Sequence, residues 1–361
     1  MITKQAEGLR AAGHDVSICL IEGTARDGNQ TDIPTVNIAR RPNLDGTGSE
    51  WAFWPSAARS VLLTASRVPP CDVVIATWFP TVYLAHEVAR RTGAVPVWLL
   101  QDFPEMFRHR FTQRAIRRAP SLVRGIIADA QYLIDESVYV PPHVMARTVP
   151  PALDDSFFEG PSAADDPWPR GGPLRILWAG TPARYKGFPE FLQMLGLLRS
   201  RGVEVEPTLL APPSIRAFDT FGCRVLHGLS DAEVVREFRA ADVVVSTVAP
   251  EGFGYPPLEA MAVGRPAVLV DSGGSREYHA HGENALVLPD REPMRLADAV
   301  ERLVRDPDLV RHLVDGGLRT AARFRWPAMQ ERFQAALAEI VEAARARHRP
   351  AARDTRMDSR E

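Results

Sequence analysis

Hydrophobic positions along the chain follow two periods. Short aliphatic runs read as buried strands, as in Asp72-Val-Val-Ile-Ala-Thr77, Val95–Leu100, Gly125–Asp129 and Val243–Thr247. Between them lie stretches with apolar residues three and four apart, such as Phe188, Phe191, Leu192 and Leu195, which read as helix faces. This alternation predicts an α/β fold with mainly parallel sheets and helical crossovers. The chain opens on a helix rather than a strand: Ile2, Ala6, Leu9 and Ala12 share a face, Gly13-His14 close it, and Val16–Ile21 follows as a strand. A short strand is expected over Val36–Ile38. An aromatic cluster of Trp51, Phe53 and Trp54 precedes a helix over 55–67 and is expected to pack between that helix and the sheet. A doubly wound sheet ordinarily starts with a strand and a glycine-rich turn. The first sheet is therefore expected to lack its first strand, with a start codon placed too far downstream as the cause.

Residues 158–173 carry four prolines, three glycines and few apolar side chains, the composition of a linker. They divide a first half, 1–157, from a second, 174–326. In the second half strands are predicted near 174–179, 205–210, 223–226, 242–247, 266–270 and 285–288, and helices near 187–201, 230–240, 256–264, 293–305 and 308–322. Ser230-Asp-Ala-Glu233 has the pattern of a capping box. Residues 327–346 read as a helix crossing back to the first half, and the charged tail 347–361 as disordered.

Composition narrows the function classes. Of 361 residues, 45% are apolar and 24% charged, the balance of a soluble globular protein. A net charge of −2 gives no global field for nucleic acid. Three scattered cysteines, Cys19, Cys71 and Cys223, offer neither a disulfide framework nor metal-ligand spacing, so a cytoplasmic location is expected. No apolar run reaches the ~20 residues that span a bilayer.

Two stretches carry chemistry. Glu251-Gly-Phe-Gly-Tyr-Pro-Pro-Leu-Glu259 links a strand to a helix through a glycine loop. A helix N-terminus behind such a loop suits phosphate, whereas the two carboxylates suit hydroxyls. A diphosphate cradle flanked by two hydroxyl acceptors fits a nucleotide sugar. Trp178-Ala-Gly180-Thr-Pro-Ala-Arg184-Tyr-Lys186-Gly187 repeats the strand–turn–helix logic with two cations at the turn. In a parallel sheet both turns lie at the carboxyl edge and can face one crevice. Thr77, Gln101 and Asp102 end strands of the first half and are expected to point into the same crevice.

The second half resembles the retaining glycosyltransferases of family 4, which have the GT-B fold of two Rossmann-like, doubly wound domains facing a central cleft. The resemblance rests on Glu251 to Ala262 followed by Gly264-Arg-Pro-Ala267, on Gly273, Gly274, Glu277, Gly282 and Asn284, and on Arg184, Lys186 and Gly187. It implies that Glu251, Arg184 and Lys186 are catalytic. Gly180, Gly252, Phe253, Gly254, Tyr255, Leu258, Glu259 and His227 would bind the donor, with Glu259 on the ribose. It implies a nucleotide-diphosphate sugar as donor, a glycan or lipid-linked glycan as acceptor, and neither metal nor cofactor. Where the family often carries His-Asp, this chain has Gln101-Asp102, and glutamine cannot take a proton. Two other readings stay open: an inactive GT-B scaffold that binds nucleotide, and a nucleotide-sugar epimerase.

Arg108, Arg110, Arg114, Arg117, Arg118 and Arg124 fall in a segment without acids, interleaved with Phe107, Phe111 and Ile116. The segment reads as a basic helix whose exposed side can meet anionic lipid. Asp306-Pro-Asp308 is expected to be a helix cap rather than a metal motif, and His279 and His281 have no third ligand nearby.

Overall fold

The structure, a computed structural model, describes residues 2–22, 32–40, 64–107, 109–160, 162–166, 168 and 170–347. The aromatic cluster at 51–54, residues 55–63 of the expected helix, Arg108 and the tail from 348 lie outside them.

The first half runs α1 (Ile2–Ala11), β1 (Ile18–Glu22), β2 (Thr35–Arg40), β3 (Val73–Ala76), α2 (Thr81–Thr92), β4 (Val95–Leu100), α3 (Arg110–Arg118), β5 (Gly125–Ala128) and β6 (Met145–Thr148). β3, β4, β5 and β6 form a parallel sheet in that order, and β1 and β2 a separate parallel pair. Among the described residues no strand joins the pair to the sheet. Ile38 of β2 instead packs with Leu84 and Val88 of α2. The central strands are apolar throughout because both faces are covered. Trp98, Leu100 and Ile126 pack with Phe79, Val82 and Ile116 on one face. Val97, Leu99 and Ile127 pack with Phe333 and Ile340 on the other.

The second half runs β7 (Leu174–Ala179), α4 (Phe188–Ser200), β8 (Val205–Leu210), β9 (Arg224–Leu226), α5 (Asp231–Ala240), β10 (Val243–Ser246), α6 (Tyr255–Ala262), β11 (Ala267–Val270), β12 (Leu286–Leu288), α7 (Pro293–Arg305), α8 (Pro307–Ala321) and α9 (Trp326–Ala346). All six strands are parallel, in the order β12-β11-β10-β7-β8-β9. The chain leaves β7 toward β8 and β9, then returns to the other side of β7. Winding therefore reverses between β7 and β10. Connections leaving those neighbouring strands diverge and open a crevice at the carboxyl edge.

Ser230 and Glu233 form the capping box of α5, and Asp306 caps α8 by accepting from Leu309 N–H at 2.9 Å. The described part of the 158–173 segment is fastened to the second half: Ala163 N–H donates to the Val263 carbonyl, and Trp168 Nε1 to that of Leu303. Helix α9 crosses to the first half, where Met329, Phe333 and Ile340 seal one face of the sheet.

Candidate functional site

The two glycine turns meet at the reversal point. After β7, the chain enters a short 3-10 turn, Arg184–Lys186, ended by Gly187 at φ +67°. Gly187 is required there on two counts: the left-handed backbone, and a Cβ that would stand 2.4 Å from the Thr247 carbonyl oxygen. Thr247, which follows β10, holds the turn from below. Its hydroxyl donates to the Lys186 carbonyl at 2.8 Å and accepts from Trp178 Nε1 at 3.0 Å. Ala249 N–H donates to the Tyr185 carbonyl at 3.0 Å. With its backbone so fixed, Lys186 donates through Nζ to Glu251 Oε2. A cation from one turn and a carboxylate from the other are thus in direct contact.

Glu251 is held by its own backbone: its N–H donates to the Ser272 carbonyl at 3.0 Å and its carbonyl accepts from Gly274 at 3.2 Å. Gly254, at φ +83°, turns the chain into α6. Phe253 is 3% exposed, boxed by the rings of Tyr255, Tyr278 and Phe324. Leu258 is wholly buried in the same cluster. Their side chains therefore anchor the loop. A ligand could meet only their backbone.

Glu259 stands on the second turn of α6, partly buried, and no donor among the described residues reaches its carboxyl. Burial pushes it up to about 8. The hydroxyl of Tyr255 is raised as well, by burial first and then by the charges of Asp129 and Glu259.

The first half closes against this loop. Gln101 ends β4 with its carbonyl oxygen facing Gly252, at 2.6 Å from where a Cβ would stand. Phe103 packs edge-on to Tyr185 at 5.5 Å. Gln131 N–H donates to Glu277 at 2.7 Å, and Arg276 pairs with Glu136 at 2.7 Å. Asp102 is 6% exposed, and its Oδ2 accepts from Phe79 N–H at 2.6 Å, which braces the turn after β3. Burial holds its carboxyl at about 6. Thr77 leaves β3 at the same edge, partly buried.

Asp129 was not singled out from the sequence. It follows β5 as Gln101 follows β4, and the register sets them side by side. Gln101 Nε2 approaches its Oδ1 at 3.5 Å, and burial pushes its carboxyl up to about 7. Arg291 is also new: its Nη1 donates to the Arg184 carbonyl at 3.1 Å, adding a third cation to that turn. Arg184 itself is exposed. Gly180 lies over the Trp178 ring. His227 is exposed at the end of β9, the sheet's outer strand, and the structure does not bring it to the Lys186–Glu251 group. His279 Nδ1 lies 3.0 Å from Ser275 Oγ, and His281 Nδ1 accepts from Val287 N–H.

Comparison with solved structures follows this geometry. The sucrose-phosphate synthase of Thermosynechococcus elongatus superposes with a TM-score of 0.75 over 95% of this chain and 93% of its own, at 15% identity. Anabaena HepE, solved with UDP and glucose, superposes with 0.72 over 93% and 95%, at 18% identity. The fold is GT-B. Residues 222–319 match the family model described as glycosyl transferases group 1. That span contains the Glu251–Glu259 loop and the Gly273–Glu277 turn against which it is bonded. A D-inositol 3-phosphate glycosyltransferase of Acidothermus cellulolyticus is 29% identical over 68% of this chain and 59% of its own length. That of Pseudarthrobacter chlorophenolicus is 30% identical over 63% and 57%. The chain thus spans less than three-fifths of the length of these two glycosyltransferase relatives.

Proposed function

We propose that the protein is a retaining, metal-independent glycosyltransferase of family 4. It moves a sugar, of hexosyl type, from a nucleotide-diphosphate donor to a hydroxyl of a glycan or lipid-linked glycan. It would work at the cytoplasmic face of the membrane, in cell-surface polysaccharide or glycolipid assembly. The contact between Lys186 and Glu251 carries the reading, because it joins the two turns at the winding reversal of a GT-B fold. The match of residues 222–319 to glycosyl transferases group 1 supports it.

In this reading Lys186 and Arg184 hold the departing diphosphate, with Arg291 behind them. The amides at the start of α6 face the same charge. Pro256 and Pro257 have no N–H, so Gly254 and Tyr255 supply those donors. Fixed cations and amides stabilise the charge that grows on the leaving group, as an oxyanion hole does. Glu251, released from Lys186 as the diphosphate arrives, accepts hydroxyls of the donor sugar. Glu259 accepts those of the ribose. The acceptor hydroxyl enters from the Gln101–Asp129 side.

The test uses UDP-glucose, the nucleotide sugar bound in one HepE structure. Wild-type protein should bind UDP by calorimetry and release UDP from UDP-glucose, and Glu251→Ala should release none. An isomerised nucleotide sugar without UDP release would identify an epimerase. UDP binding without either product would identify a scaffold. Absence of binding across a panel of nucleotides would reject the reading.

A further inference from the structure

The basic segment of the first half is a helix docked by one side. Thr112 and Ile116 of α3 are buried against the sheet. At about 100° per residue, Arg110, Phe111, Arg114, Arg117 and Arg118 fall within an arc of about 120° on the opposite side. All five are exposed, Phe111 by 59%. Arg117 pairs with Glu105 at 2.9 Å, and Arg110, Arg114 and Arg118 have no acidic partner among the described residues. Two further apolar groups border the arc. Met106, in the turn before the helix, is 42% exposed. Tyr139, whose N–H donates to the Arg117 carbonyl, is 69% exposed.

We propose that this face of α3, with Met106 and Tyr139 at its borders, docks on an anionic lipid bilayer. Charge complementarity selects the partner. Clustered guanidinium groups are attracted to acidic headgroups, and aromatic and thioether side chains among them enter the interfacial layer. A nucleic acid would use the arginines and leave Phe111, Met106 and Tyr139 without a role, and the chain's net charge of −2 opposes it. Arg124 is not part of the face: it precedes β5, at the amino edge of the sheet, opposite the crevice.

Topology gives the docking a direction. From Gln101 at the crevice the chain takes nine residues to Arg110, and α3 then descends toward the start of β5. Met106, Arg110 and Phe111 are therefore the end nearest the crevice. A bilayer along this flank brings its headgroups level with the Gln101–Asp129 side of the site. On the reading that the site transfers to a lipid-linked acceptor, the helix delivers that acceptor without a long reach.

Co-sedimentation with vesicles tests the surface. Wild-type protein should pellet with phosphatidylglycerol–phosphatidylcholine vesicles at low salt and not with phosphatidylcholine alone. Partition should fall at least tenfold at high salt. A fourfold variant, Arg110, Arg114, Arg117 and Arg118 each →Ala, should lose tenfold or more, and Phe111→Ser about threefold. Arg124→Ala should stay within twofold. Circular dichroism and UDP affinity of each variant should match wild type, which separates loss of the surface from loss of the fold or of the donor site. No pelleting at low salt, or unchanged partition of the fourfold variant, overturns the proposal. So does unchanged partition of Phe111→Ser together with capture of a duplex oligonucleotide, which would mark the face as a nucleic-acid surface. Vesicle binding by a protein that binds no nucleotide would keep the surface and reject the transferase reading.

Discussion

The backbone of Gly252 lies against the carbonyl oxygen of Gln101, so closely that a Cβ on the glycine would stand 2.6 Å from that oxygen. One residue belongs to the Glu251–Glu259 loop of the second half and the other follows β4 of the first half, so the crevice is closed at this point by backbone. Gly252→Ala should hold the halves apart without disturbing either core. The expected result is a melting temperature within a few degrees of wild type and UDP-glucose turnover reduced on the order of 100-fold, as misplacement by about 1 Å can cause. A collapse of the melting temperature would show a folding contact instead.

Lys186 and Glu251 form an ion pair across the two turns. Their removal should have different signatures. Lys186→Ala should weaken UDP binding about tenfold and cut turnover roughly 100- to 1,000-fold, the scale of losing one fixed donor to a leaving group. Glu251→Ala should cut turnover as much and leave UDP affinity within threefold, because the proposed partner of Glu251 is the sugar. Calorimetry with UDP, beside turnover of UDP-glucose, separates the two.

Glu259 ionises only as pH rises through about 8. A ribose hydroxyl donates to the ionised form, so UDP binding should tighten between pH 6 and 8.5. UDP's own phosphate titrates in part of that range, so the diagnostic comparison is Glu259→Gln, whose affinity should be weaker and lack the additional rise near pH 8. Parallel slopes would remove Glu259 from the ribose site.

Asp129, with its carboxyl raised to about 7, affects stability as well. A carboxyl with a higher pKa folded than unfolded stabilises the fold at low pH, and the benefit is lost as pH rises through the folded value. Asp129→Asn should therefore melt close to wild type near pH 5 and several degrees above it at pH 8. If Asp129 also accepts the acceptor hydroxyl, the variant should lose the acid limb near pH 7 in UDP release. Asp102, at about 6, contributes a separate inflection one unit lower.

The second half was legible in detail because its strands are short, uniformly apolar and separated by glycine turns. β7 and β8 fall on the predicted residues, and β10 to β12 within one residue at each end. β6 was missed. Met-Ala-Arg-Thr at the sheet edge is half-buried and has neither an apolar run nor a clean alternation. Asp129 was missed because a single acid after a strand has no spacing to mark it, and its relation to Gln101 exists only through strand register. The burial of Phe253 and Leu258 is not legible in the Glu251–Glu259 stretch itself. The rings and aliphatic groups that claim them come from residues 278 and 324 and from β10 and β11, which no local pattern shows. The Lys186–Glu251 contact was anticipated only as proximity of two turns, and the pairing itself depends on Thr247 fixing Lys186 from below.

Helix α9 has a consequence for how the protein is made. Gln330 reaches back to the Lys4 carbonyl, 326 residues upstream, and Phe333 and Ile340 cover a sheet completed by residue 148. On the ribosome the first half emerges early, yet one face of its sheet lacks the cover of Met329, Phe333 and Ile340 until α9 is translated. The second half has its own strands and covering helices by residue 321 and can finish before it. The order of synthesis is thus inverted in the order of completion, and a nascent chain stalled before α9 would present Val97, Leu99 and Ile127 to chaperones rather than a finished first domain.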